Sequence, residues 1–296
     1  MSLYKDIYYQ VRDGLTLYAR DYPNVDAEIT VLCMHGLTRN SADFEDIALE
    51  LNGRCRVISV DQRGRGLSQW DEQIERYNPV TYVQDMWQLL DQLHIDKVVL
   101  LGTSMGGLMS MMMAAQASER IQGVILNDIG PELDATGLDR IKSYVGKGQP
   151  VETWVDAVTE TQRINGSCFP DYGDAQWLQM AYRLYRENTD GVPVLAYDPA
   201  IAKPIADSDE AAVPPDLWPL FKSMADKPVL ALRGALSDLL SEACFIDMQR
   251  QLPEMIAVTV PRVGHAPALD ESAAVIAIKD FIASVISTHQ VQIDEA

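Results

Sequence analysis

Lys97 to Ala117 reads KVVLLGTSMGGLMSMMMAAQA, an apolar run that breaks at glycines around one serine and resumes as a second apolar run. Val98 to Leu101 is short, continuous and rich in β-branched residues, which suits a strand buried on both faces of a parallel sheet. Leu108 to Ala117 is long enough and straight-chained enough to be a buried helix. Between them, Gly102-Thr103-Ser104-Met105-Gly106 must turn a strand into a helix within a few residues. That crowds the backbone unless side chains are missing where it doubles on itself, as they are at Gly102 and Gly106. Strain held at the serine of such a turn sets its hydroxyl at an exposed, reactive point, so Ser104 is the candidate nucleophile. A glycine-rich turn can be no more than a turn, but the strand before it and the helix after it are the context this motif requires. Phosphate-binding loops are excluded: no Lys-Ser/Thr follows the glycines, and their spacing is not that of a dinucleotide loop.

Upstream, Tyr8 to Arg20 reads as a hairpin around Asp13-Gly14, and Ile29 to Met34 as an interior strand leading into His35-Gly36-Leu37-Thr38. A helical stripe follows at Phe44, Ile47, Ala48 and Leu51, then a strand at Val57 to Val60 that ends in Asp61-Gln62-Arg63-Gly64-Arg65-Gly66. Asn78-Pro79 opens a helix with Val83, Met86, Leu90 and Leu93 on one face. Downstream, Gly123 to Asn127 is a strand. The alternation predicts an α/β fold, a mostly parallel central sheet with helices on both faces, whose site lies at the carboxyl ends of the strands.

From about Ile129 the alternation stops. Three helical stripes follow, around Leu138 to Val145, Trp154 to Val158 and Trp177 to Tyr185, and then an irregular return path rich in proline, Pro214 and Pro215 included. The sheet resumes with Pro228 to Leu232, leading to Ser237-Asp238, and Met255 to Val260, leading to Gly264-His265. A last helix buries Val275, Ile278, Ile282 and Val285, and the tail from His289 is expected to fray. Residues 1–130 and 221–296 thus form the sheet core, and 131–220 a helical cap across the strand ends. Trp154, Trp177, Tyr182 and Tyr185 either face the pocket or form the cap's own core. Met109, Met111, Met112 and Met113 read as core filling.

The 296 residues are 47% hydrophobic and 23% charged, ordinary for a globular protein, but the net charge is -19. That charge repels nucleic acid and anionic membranes, leaving a small-molecule substrate as the expected partner. No apolar stretch suits a signal peptide or a membrane span, and Cys33, Cys55, Cys168 and Cys244 lie far apart without metal spacing. A cytoplasmic protein with reduced thiols and no metal or cofactor is expected.

A serine hydroxyl needs a base within reach, itself oriented by a third group. Of the four histidines, His35 belongs to a backbone turn, His94 lies at the opposite edge of the sheet and His289 is in the tail. His265, in a loop after a strand at the reactive edge, is the base. Two carboxylates could orient it, Asp238 and Asp128, and both satisfy the chain order Ser, acid, His; Asp238 is preferred. Met105 heads a helix whose free N–H groups favour an anion. Arg63, Arg65 and Asp61 read as loop-fixing residues.

The chain resembles the α/β-hydrolase-fold serine hydrolases through His35-Gly36, Asp61-Gln-Arg-Gly-Arg-Gly66, Gly102-Thr-Ser-Met-Gly-Gly107, Ser237-Asp238 and Gly264-His265. The resemblance implies that Asp238 is the acid, the position of Asp128 serving a minority of the family. It also implies an oxyanion hole made by the backbone N–H groups of Leu37 and Met105. The expected activity is cleavage of small soluble carboxylic esters through an acyl-enzyme. Alternatives are a carbon-carbon bond hydrolase, against which Thr103 stands where such enzymes resemble one another in having asparagine, an enol-lactonase, or a receptor-like sensor that keeps the triad.

Overall fold

The computed structural model describes residues 3–206 and 216–294. An antiparallel hairpin, β1 (Lys5–Gln10) and β2 (Thr16–Tyr22), turns at Gly14 with φ 90°, a conformation glycine adopts without strain. The chain then alternates: β3 (Thr30–Met34), α1 (Glu45–Leu51), β4 (Arg56–Asp61), α2 (Pro79–Gln92), β5 (Val98–Thr103), α3 (Met105–Gln116), β6 (Ile121–Asn127). Helix α2 starts where the sequence predicts. Asn78 caps it by accepting from Thr81 N–H at 3.0 Å, and Pro79, which has no N–H to leave unpaired, takes the first turn.

After β6 the chain leaves the sheet for α4 (Ala135–Tyr144), α5 (Trp154–Asn165) and α6 (Asp174–Leu184). The return path is not wholly irregular. It opens with an antiparallel pair, β7 (Tyr185–Glu187) and β8 (Pro193–Leu195), which turns at Asp190-Gly191 with Gly191 at φ 77°. A one-turn helix α7 (Lys203–Ala206) follows, and Pro214 and Pro215 lie outside the described residues. Then come α8 (Trp218–Lys222), β9 (Val229–Gly234), α9 (Glu242–Gln251), β10 (Ile256–Val260) and α10 (Ser272–Asp294). Helix α10 continues through position 289 rather than fraying there.

The sheet order is β1-β2-β4-β3-β5-β6-β9-β10, parallel from β4 to β10. Alternate residues of the inner strands serve two cores. Leu32, Met34 and Leu100 pack with α2, α3 and α9 on one face, while Val31, Cys33, Val99 and Leu101 pack with α1 and α10 on the other. Each such side chain, fully removed from water, contributes about 1.5–3 kcal/mol, which fixes the register because a one-residue slip would swap the faces. Met109, Met111 and Met113 are fully buried as core filling. The four cysteines are buried free thiols. Among the described residues no helix is long and apolar enough to cross a membrane.

Candidate active site

Register brings the site together. Thr103 pairs with Asn127 across β5 and β6, so the residues after them, Ser104 and Asp128, leave the sheet at one level. Ser104 sits at φ 52°, ψ -117°, a strained conformation for a residue with a side chain. Its N–H donates to the Asn127 carbonyl at 3.0 Å, and its own carbonyl accepts from Gly107 and Leu108, which starts α3. The glycines make this bend possible. A methyl group on Gly102 would lie 2.3 Å from the Gly106 backbone, and one on Gly106 would lie 1.9 Å from the Met34 carbonyl oxygen.

His265 reaches the serine from the loop after β10. Its Nε2 is 2.9 Å from Ser104 Oγ. Its Nδ1 is 2.7 Å from an oxygen of Asp128, not of Asp238. Asp128 is fully buried; one carboxylate oxygen accepts from Gly234 N–H at 2.7 Å, the other from the Ser237 hydroxyl at 2.6 Å and from His265. A carboxylate only accepts, so Nδ1 carries the proton and Nε2 is left to accept from the serine.

The preference for Asp238 is therefore corrected. Its carboxylate is turned to Arg140 of α4, which donates to it at 2.5 and 2.9 Å and holds it below the usual carboxylate range. Asp128 follows β6 directly, beside β5, whereas Asp238 lies four residues past the end of β9. The loop that carries Asp238 contributes through Ser237, which braces the other carboxylate.

Asn127 was not singled out by the sequence. Fully buried, it donates from Nδ2 to Thr103 Oγ1 at 3.0 Å and to the Pro267 carbonyl at 2.9 Å, tying the serine turn to the histidine loop. An asparagine next to an acid at a strand end carries no further mark that would have revealed this.

His35 fixes the opposite wall. Its Nδ1 is 2.6 Å from the Gly36 carbonyl and its Nε2 accepts from Gln62 N–H at 3.0 Å. Burial lowers its pKa to about 3, so the ring is neutral and donates to Gly36. Arg39 N–H donates to the same carbonyl at 3.1 Å. The two donors set the Gly36-Leu37 peptide plane, and with it the direction of the Leu37 N–H, which is trans to that carbonyl. Arg65, fully buried, holds the Leu37 carbonyl at 2.9 Å and the Tyr82 hydroxyl at 2.8 Å. Arg63 anchors the same loop to Asp85, Asp71 and Asp13, and Asp61 accepts from Ser41 and Leu67 N–H groups.

A cavity of about 130 Å³ opens on Ser104 and His265 between the strand ends and α4 to α6. Leu37 lines it, as do Arg39, Tyr144, Thr161 and Tyr172, while Met105 stands behind the serine as the first residue of α3. Of the four aromatic residues weighed from the sequence, Tyr185 lines the cavity. Trp177 is buried against Phe169 and Tyr172, and Trp154 packs on Tyr182 at the surface. Among the described residues no group of three or more His, Cys, Asp or Glu could hold a metal ion.

Comparison with known proteins gives a consistent set. Residues 29–154 match the family described as the alpha/beta hydrolase fold. The 3-hydroxybutyrate-oligomer hydrolase of Cupriavidus necator is 35% identical over 257 residues, 85% of this chain and 87% of that protein. The 2-(acetamidomethylene)succinate hydrolase of Mesorhizobium japonicum is 29% identical over 235 residues, 79% of this chain and 81% of that protein. Among solved structures, an alpha/beta hydrolase from Novosphingobium aromaticivorans superimposes with a TM-score of 0.90 at 41% identity, covering 96% of this chain and 99% of that one.

Proposed function

The chain belongs to the alpha/beta hydrolase family, and on that premise we propose that it cleaves carboxylic esters of small substrates with Ser104, His265 and Asp128 as a catalytic triad. The observation that carries this reading is the unbroken path from Ser104 Oγ through the imidazole to a buried carboxylate, 2.9 Å and then 2.7 Å. His265 takes the serine proton as Oγ attacks the acyl carbonyl. Asp128 keeps the ring in the required tautomer and stabilises the imidazolium that forms. The tetrahedral oxyanion accepts from the Leu37 and Met105 N–H groups, each worth about 3 kcal/mol in a comparable site. His265 then returns the proton to the departing alkoxide, and water, activated by the same imidazole, releases the acid.

The substrate class has two supports. The cavity is small beside the roughly 300–1,000 Å³ of a drug-sized site, which suits short acyl groups. A relative named for hydrolysing 3-hydroxybutyrate oligomers also points to esters, since hydroxy acids condense through ester bonds. We further propose that the segment 131–220 acts as a cap that closes this cavity and sets its size.

The test is a panel of nitrophenyl esters of graded acyl length, run beside a ring-cleavage diketone. Turnover is expected to be best with short acyl groups, and Ser104→Ala to lower kcat by about 10⁶-fold. A loss of only tenfold would show that another group is the nucleophile. Turnover of the diketone without the esters would favour carbon-carbon cleavage.

A further inference from the structure

The cavity wall facing the serine holds more hydrogen-bond donors than the cleavage of a simple apolar ester requires. Arg39 stands three residues beyond Gly36, and a methyl on that glycine would touch both Arg39 Cγ and Ser104 Cβ at 3.6 Å, so the two side chains are neighbours. The guanidinium gives Nε and Nη2 to Asp43 at 2.6 and 2.7 Å, which leaves Nη1 without a protein partner among the described residues. Asp43 is thus occupied by one edge of the fork while the charge is held in place for a second acceptor.

Three residues that carry hydroxyls line the same cavity. Thr161 on α5 is 1% exposed, and its Oγ1 has no hydrogen-bond partner, not even the carbonyl one turn back that a helical threonine commonly uses. A buried hydroxyl left unpaired is unfavourable unless something in the cavity completes it. Tyr144, at the end of α4, and Tyr172, held by Phe169 at 4.5 Å and Trp177 at 5.1 Å, also lack a partner for their hydroxyls among the described residues. Burial raises the pKa of both phenols, so both stay protonated donors. Asp270, the other acid on the wall, is itself pushed up by burial.

A guanidinium edge and three hydroxyls fit a group that only accepts and carries negative charge. We propose that Arg39, Tyr144, Tyr172 and Thr161 form a subsite for a free carboxylate on the substrate, so that the esters cleaved are short ones that carry a free carboxylate besides the ester bond. The proposal rests on the ester-hydrolase reading and names its substrate class.

The test compares 3-(butanoyloxy)butanoate with its methyl ester, which differ only in the free carboxylate, and follows butanoate release. The wild type is expected to prefer the acid by at least about tenfold in kcat/KM. Arg39→Met keeps the backbone N–H that orients the Leu37 peptide and should raise KM for the acid about 10- to 100-fold, well beyond its effect on the methyl ester, with Arg39→Lys recovering part of the loss. Tyr144→Phe and Tyr172→Phe remove one oxygen each without disturbing the ring, and should weaken the acid alone. Equal cleavage of the two esters by the wild type, or an equal loss on both in every variant, would overturn the subsite. Thermal stabilisation of Ser104→Ala by each ester reads binding apart from chemistry. Stabilisation by the acid alone, lost when Arg39→Met is added, upholds the subsite even if the wild type cleaves neither ester. Equal stabilisation by both esters refutes it.

Discussion

At the scale of single residues, two carboxylates compete in the sequence for one imidazole, and the structure separates them by their other partners. Asp128 has a backbone N–H and a hydroxyl besides His265, whereas Asp238 has the guanidinium of Arg140. Asp128→Asn should therefore lower kcat on a short ester by about 10⁴-fold, because the wrong tautomer is then favoured, while Asp238→Asn should change it less than about tenfold. A reversed ranking of the two variants would return the role to Asp238. His35 supplies a pH test. Its folded pKa is about 3 against 6.5 for a free imidazole, so the unfolded chain binds a proton between those values that the folded chain refuses. The stability it supports is complete above about pH 6.5 and falls as pH drops, by about 1.4 kcal/mol per unit. Asp85, raised to about 6 mainly by burial, works with the opposite sign in part of that window. Denaturant titrations of the wild type and His35→Asn isolate the histidine, because Asp85 is common to both. The variant's stability should decline less steeply from pH 6 to 4, and parallel curves would mean that the ring is protonated in the fold.

At the scale of elements, the serine turn is the part most legible in the sequence, because its constraint is local. Gly102 is needed where the strand end meets the backbone of Gly106, four residues on, and although Gly106 itself is pressed by the more distant Met34, both glycines stand two residues from Ser104, where the motif displays them. Gly106→Ala places a methyl against the Met34 carbonyl and should lower stability by about 1–3 kcal/mol in urea and depress kcat, as the backbone shift passes to the serine. A fully active, equally stable variant would mean that the turn is looser than its geometry. The strands and their order of appearance were readable from apolar runs, and His265 from elimination among four histidines. The choice of acid was not, since it depends on Arg140, 98 residues away from Asp238 on a helix whose packing no local pattern reveals. The β7–β8 pair escaped for another reason. Its strands are three residues each, too short to show alternation, although Asp190-Gly191 between them is an ordinary hairpin signal.

At the scale of the whole molecule, the net charge of -19 surrounds a cavity wall that holds the Arg39 guanidinium. An anionic ester meets long-range repulsion before it meets local attraction, and only the former is screened efficiently by salt. Raising ionic strength from about 10 to 150 mM shortens the screening length from about 30 to 8 Å and should raise kcat/KM for the acid ester a few-fold, leaving the methyl ester unchanged. A fall for the acid ester would indicate that local attraction dominates its approach. The geometry at Asp128 also bears on how such enzymes can be recombined. The excursion from the sheet begins at the next residue, with Asp128 at φ 55°, and the strand that follows the excursion delivers Gly234 and Ser237 back to the same carboxylate. A chimera that swaps the whole excursion for a homologue's puts its upstream seam against the residue that orients the imidazole. Donors whose seam relaxes that backbone angle would yield folded but silent hybrids, so altering specificity by point changes along α5 and α6 is the safer route than transplantation.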